Sequence, residues 1–213
     1  MSRTSSLILG LFLGAVGLVS CGHGPAPTDA PKVVARRTLP QEALVPAVQP
    51  AAQWDFKPQG IVWTNAALAA LEGHAQPLVK VTPADVTEYC PAYPEASPSR
   101  RRAFWVGLIS ALAGHESTWR PKVSGGDGRW HGLLQISPAT AKGYGCRATS
   151  AEALKSGPAN LSCGLRIMAE TVPRDGVISR GRGGIAADWG PFVQQRKRDA
   201  MAEWTRGQSY CRD

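Results

Sequence analysis

The sequence predicts a mostly α-helical domain over residues 90–213, preceded by a short irregular N-terminal segment. Two long apolar patterns and several helix-start signatures predict it. In SPSRRRAFWVGLISALAGHESTW, residues 97–119, Trp105, Leu108, Ile109, Leu112 and Trp119 share one stripe on a wheel of about 100° per residue. In SGPANLSCGLRIMAETV, residues 156–172, Leu161, Gly164, Leu165, Met168 and Val172 form a second stripe, and Gly164 permits close helix approach. Ser137 before Pro138, and Thr82 before Pro83, have the form of a helix cap followed by a first-turn proline.

The 213 residues suffice for one domain with accessories and a real core. The opening MSRTSSLILGLFLGAVGLVSC has a basic Arg3, an apolar run from Leu7 to Val19 and a small residue before Cys21. That run is short of the roughly 20 residues a membrane-spanning helix needs, so residues 1–20 read as a secretory signal. Leu18-Val19-Ser20-Cys21 resembles a bacterial lipobox, which implies cleavage before Cys21 and lipid on its thiol and amine. Gly22 after the cysteine resembles the outer-membrane sorting pattern of a Gram-negative cell, so the expected place is the outer membrane, facing the periplasm. An ordinary signal peptide with a cysteine nearby is the alternative.

Residues 21–50, rich in Pro and Ala, cannot bury enough apolar surface to offset chain entropy and read as a lipidated, disordered tether. Residues 51–89 read as a short helical segment: WTNAALAALEG is a helix capped by Thr64 and stopped by Gly73, and TPADVTEY opens with Thr82 as cap. Towards the C-terminus, PRDGVISRGRGG is a turn-rich basic loop and DWGPFVQQRKRDAMAEWTRG includes a final helix.

Setting Cys21 aside leaves Cys90, Cys146, Cys163 and Cys211, an even number in a chain bound for an oxidising compartment. Of the three pairings four cysteines allow, Cys146 with Cys163 and Cys90 with Cys211 is favoured, the second tying the start of the domain to its end. Cys163 lies opposite the stripe of its helix, which suits a staple from outside. No metal site is expected: there is no Cys-x-x-Cys pair, and residue 119 is Trp, so His115-Glu116 does not begin a His-Glu-x-x-His motif. No P-loop, dinucleotide fingerprint or serine nucleophile motif is present, and no cofactor is expected.

With 24 basic and 16 acidic residues the net charge is +8, a field that attracts anionic partners. An exported lipoprotein without a recognition motif argues against nucleic acid and for the cell-wall polymer or anionic lipid. Arg196-Lys197-Arg198 reads as a solvated helix face.

Glu116 breaks the local rule. It falls within the apolar stripe of its helix, and Pro121 should end that helix within about a turn, leaving the carboxyl desolvated at the negative end of the helix dipole. Both effects raise its pKa, as a general acid working near neutral pH requires. Pairing with Arg120 or Lys122 is the bland alternative.

Glu116-Ser117, then a glycine-rich loop, then Gly132-Leu133-Leu134-Gln135 resembles the soluble lytic transglycosylases, relatives of goose-type lysozyme, marked by Glu-Ser and Gly-Leu-Met-Gln. The resemblance runs through PATAKGYG and NLSCGLRIMAETV, residues 99–172 in all. It implies a lysozyme-like fold, peptidoglycan as substrate, Glu116 as catalytic acid/base, and Ser117 and Gln135 on the saccharide side. Trp130, Tyr144 and Trp189 are aromatic candidates for stacking on sugars, or else core residues. The loop SGGDG reads as a wall of the groove. The family's Ala-Tyr-Asn stretch is replaced here by GGIAADWGPF, where Trp189 is the candidate substitute wall. A transglycosylase needs one acid; a lysozyme-type hydrolase would use a second, with Asp127 and Asp188 as candidates. A peptidoglycan-binding lipoprotein with little turnover is the reading of another class.

Overall fold

The computed structural model describes residues 49–212, so Cys21, the signal segment and most of the tether lie outside the described residues. Helix α4 (Pro98–Ser117) is the axis on which the rest is laid. It starts because Ser97 accepts a hydrogen bond from the Arg100 amide and Pro98 supplies a pre-set first turn. From Phe104 to Ala113 every residue is buried. The expected apolar stripe is therefore replaced by a helix covered on all sides in its middle, and Trp119 lies beyond the helix end. Six elements provide the cover: α1 (Gly60–Glu72), α2 (Gln76–Lys80), α8 (Gly190–Val193), α9 (Gln195–Arg206) and the turns Tyr93–Glu95 and Ser209–Cys211.

Helix α7 (Gly157–Asp175) packs against α1, α2 and the turn Gly184–Ala187. It too is buried around most of its circumference, and Pro173 sits in its last turn rather than in the following loop. A Cβ on Gly164 would lie 2.2 Å from Leu134 Cδ1, so any larger residue would have to displace the buried Leu134 side chain of the Gly-Leu-Leu-Gln segment. The short elements are α3 (Val86–Tyr89), α5 (Pro138–Gly143), α6 (Ala151–Leu154) and a two-stranded antiparallel hairpin of β1 (Ser124–Gly125) and β2 (Trp130–His131). Ser137 caps α5 as expected, accepting from the Thr140 amide.

Two expected caps fail for tertiary reasons. Thr64 lies inside α1, which begins four residues earlier, and its hydroxyl accepts from the buried Trp54 indole N–H at 2.9 Å. Thr82 caps nothing; α3 begins at Val86, and the informative residue of that segment is Asp85. Asp85 is 1% exposed and accepts from the amides of Ile178, Ser179 and Arg180 at 2.6, 2.9 and 3.0 Å. It ties the N-terminal segment to the loop after α7.

Disulfides join Cys90 to Cys211 and Cys146 to Cys163, across separations of 121 and 17 residues. Loop-closure entropy gives about 5 and about 3 kcal/mol respectively. Cys163 is 3% exposed, so its staple lies within the core rather than outside the helix.

Asp85→Ala should cost on the order of 3 kcal/mol in urea unfolding, because it strands the buried amides of Ile178 and Ser179 and the partly buried amide of Arg180. A loss under about 1 kcal/mol would mean that water replaces the carboxylate there.

Candidate functional site

The end of α4 is closed by its own sequence. Thr118 and Trp119 both take left-handed backbone, φ 53° each, a conformation that costs non-glycine residues about 1–3 kcal/mol apiece. Their amides donate to the Gly114 and Ala113 carbonyls. The Trp119 indole folds back over Gly114, where a Cβ would meet it at 2.6 Å, and its N–H donates to the Ser110 carbonyl at 2.9 Å. The helix thus ends on an aromatic lock, with His115 exposed and Glu116 half-buried in the last turn.

Opposite lies the hairpin and the turn after it. His131 and Ile136 exchange backbone hydrogen bonds at 3.0 Å, closing a loop around Gly132, Leu133, Leu134 and Gln135. Gly132 has φ 80° and sits where a Cβ would be 2.1 Å from the Leu154 carbonyl oxygen. Asn160 on α7 fixes this loop from below. Fully buried, it accepts from the Leu134 amide and donates to the His131 and Leu154 carbonyls, all at 2.8–2.9 Å. Gln135 is held in left-handed backbone, φ 50°, and its Nε2 donates to the Gly132 carbonyl at 2.8 Å, so its Oε1 lies over Gly125.

Glu116 and Gln135 line one open groove of about 440 Å3 with His115, Trp130, Asp188 and Trp189, while Gln194 and Lys197 close it from the α9 side. Burial pushes the Glu116 carboxyl from 4.5 up to about 7, against the opposing pull of the Lys197 cation. Among the described residues Glu116 has no ion-pair partner, so the pairing with Arg120 or Lys122 does not form. His115 is pushed down from its ordinary value by desolvation, with Lys197 and Arg196 adding to the effect. Desolvation raises Asp188, partly offset by the Tyr144 hydroxyl, which donates to its Oδ2 at 3.1 Å.

The expected site residues divide. Glu116, Gln135, Trp130 and Trp189 meet in the groove. Trp189 forms its floor rather than a free stacking wall: it is 4% exposed, and its indole N–H donates to the Leu134 carbonyl at 2.9 Å. Trp130 is the exposed aromatic, with the Arg129 guanidinium 4.8 Å over its ring. Tyr144 does not line the groove and reaches it only through Asp188. Ser117 is not available to a ligand. It is 2% exposed, and its hydroxyl donates to the Ala113 carbonyl while accepting from the Arg120 amide. Of the two further acids, Asp188 lines the groove, whereas Asp127 sits exposed in the hairpin turn with φ 55° and does not. Lys197, His115 and Asn160 were not assigned to the site from sequence. The Asn is silent there because its partners are backbone atoms brought near only by folding. No cluster of three or more His, Cys, Asp or Glu that could hold a metal occurs among the described residues.

The raised carboxyl has a stability consequence. Below 4.5 Glu116 is neutral in both folded and unfolded chains; between 4.5 and about 7 the unfolded chain ionises first, so folded stability falls as pH rises through that window. Glu116→Gln removes the penalty. Its melting temperature should exceed that of wild type above pH ~8 and match it below pH ~4, and a gap independent of pH would contradict the raised value.

Residues 95–176 match the Transglycosylase SLT domain. No curated protein matches the chain. Among solved structures, Bd0314 DslA in its wild-type form 2 is 28% identical with a TM-score of 0.70, covering 77% of this chain and 99% of that one. Two Glu-to-Gln mutants of Bd0314 DslA match over the same shares with the same TM-score, at 29% and 28% identity. The chain is thus similar to a transglycosylase SLT domain around Glu116 and has a mostly helical, lysozyme-like fold over most of its length.

Proposed function

We propose that the protein is a peptidoglycan lytic transglycosylase that cleaves the β-1,4 bond between N-acetylmuramic acid and N-acetylglucosamine, with Glu116 as its general acid and base. The observation that carries this reading is a half-buried carboxyl in the last turn of α4 that lines an open groove with Gln135 and Trp130, and that burial pushes up to about 7. The SLT-domain match over residues 95–176 supports the polymer and reaction class.

Protonated Glu116 donates to the glycosidic oxygen, and the bond from that oxygen to muramoyl C1 breaks. An oxocarbenium-like centre is left. The Glu116 carboxylate then takes the proton of the muramoyl 6-hydroxyl, whose oxygen bonds to C1 and closes a 1,6-anhydro ring. Atoms balance without water, and Glu116 ends protonated, as it began. A pKa near the operating pH suits a group that must both give and take a proton, and the tethered hydroxyl has a high effective concentration. The Gln135 side chain and the exposed Trp130 ring line the groove and offer it a polar group and a stacking face. The lipobox-like Cys21 supports a lipid anchor that holds this activity at the outer membrane, facing the periplasm.

One observation favours a hydrolytic second reading: the Asp188 carboxylate lines the same groove as Glu116. Product chemistry separates the two. Mass spectrometry of soluble muropeptides released from purified sacculi should find 1,6-anhydromuramoyl ends that borohydride does not reduce, with Glu116→Gln releasing at least about 100-fold less. Reducible muramic acid ends would make the protein a lysozyme-type muramidase, and binding without release would make it a wall-binding lipoprotein.

A further inference from the structure

The three consecutive cations of α9 point to three different surroundings, because successive helical side chains diverge by about 100°. Arg196 is exposed. Arg198 turns the other way, donating to the Phe192 carbonyl at 3.2 Å and lining a separate cavity with Asp85. Lys197 lies between them, half-buried, and lines the groove with Glu116. It has no ion-pair partner among the described residues.

A groove built only for neutral sugar has no use for such a cation. Lys197 disfavours the protonated form of Glu116, and it lowers His115, so its charge works against the acid the reaction needs. Of the two acids lining the groove, burial shifts Glu116 toward its neutral form and Asp188 is already engaged by Tyr144. The cation is therefore directed at a ligand. In peptidoglycan the sugar rings are uncharged and the negative charge belongs to the muramoyl residue: the carboxylates of its stem peptide, or the lactyl carboxylate where the stem has been removed. We propose that Lys197 receives a carboxylate carried by the muramoyl residue in the groove, and so makes the site select acid-bearing glycan over neutral glycan of the chitin type. This rests on the peptidoglycan reading of the groove.

Calorimetric binding to three soluble probes tests it, in a Glu116→Gln background that cannot turn them over. The probes are stem-bearing muropeptide oligomers, the same oligomers stripped by amidase to free lactyl carboxylates, and neutral N-acetylglucosamine oligomers. Lys197→Met, which keeps the length of the side chain but not its charge, should weaken binding of carboxylate-bearing probes about tenfold and leave the neutral probe unchanged. Lys197→Arg should restore most of the loss. Added salt should erode the preference in the Lys197 protein and not in Lys197→Met. Loss with the stem-bearing probe alone assigns the carboxylate to the peptide, loss with the stripped probe alone assigns it to the lactyl group, and loss with both means that Lys197 receives either one. Equal weakening of all three probes, or of none, overturns the proposal while leaving the peptidoglycan reading standing. A Lys197 protein that binds no probe, neutral sugar included, overturns both.

Discussion

The site depends on desolvation of one carboxyl at the end of a buried helix. Because α4 is covered on every side from Phe104 to Ala113, its position is fixed by packing rather than by helix propensity. Glu116 sits one turn beyond that run, where cover is partial, and burial lifts its carboxyl to about 7. A carboxyl two turns earlier would be sealed from any substrate. One in open water would keep an ordinary pKa and be ionised when a proton donor is required.

Around that carboxyl the chain spends local strain on placement. Thr118, Trp119 and Gln135 all hold left-handed backbone without being glycine. Two of them are over-determined by their neighbours: Trp119 by the Ser110 carbonyl and the notch at Gly114, Gln135 by the His131–Ile136 closure and the Gly132 carbonyl. Asn160 carries the arrangement back to α7, and the Cys146–Cys163 disulfide binds α7 to the segment after α5. The groove is thus held from both sides by elements anchored in the core, as a site that must position a glycosidic bond requires.

Glu116, the Ser137 cap, the close approach at Gly164 and the long helices were legible in the sequence because each is a local pattern: periodicity, a cap before proline, a carboxylate where apolar residues belong. What was not legible is tertiary. Thr64 and Thr82 have the residue types of caps, yet one hydroxyl is claimed by Trp54 and the other starts no helix. Ser117 adjoins the acid in sequence but points into the core, since adjacent residues of a helix face different ways. Three basic residues in a row read as a solvated face, and nothing local says that the middle one turns into a groove made by α4 and the hairpin. Asp188 and Asp127 were equivalent candidates in sequence. Only the fold brings one of them to the groove.

The raised Glu116 carboxyl is the physical premise on which the acid/base role stands, and it can be read directly. With glutamate labelled at the side-chain carboxyl carbon, the resonance assigned through Glu116→Gln should titrate with a midpoint near 7, well above the roughly 4.3 of a glutamate in a model peptide. A Glu116 midpoint in the ordinary carboxylate range would mean that the groove is wet around it, and the acid/base role would fall with the desolvation that supports it.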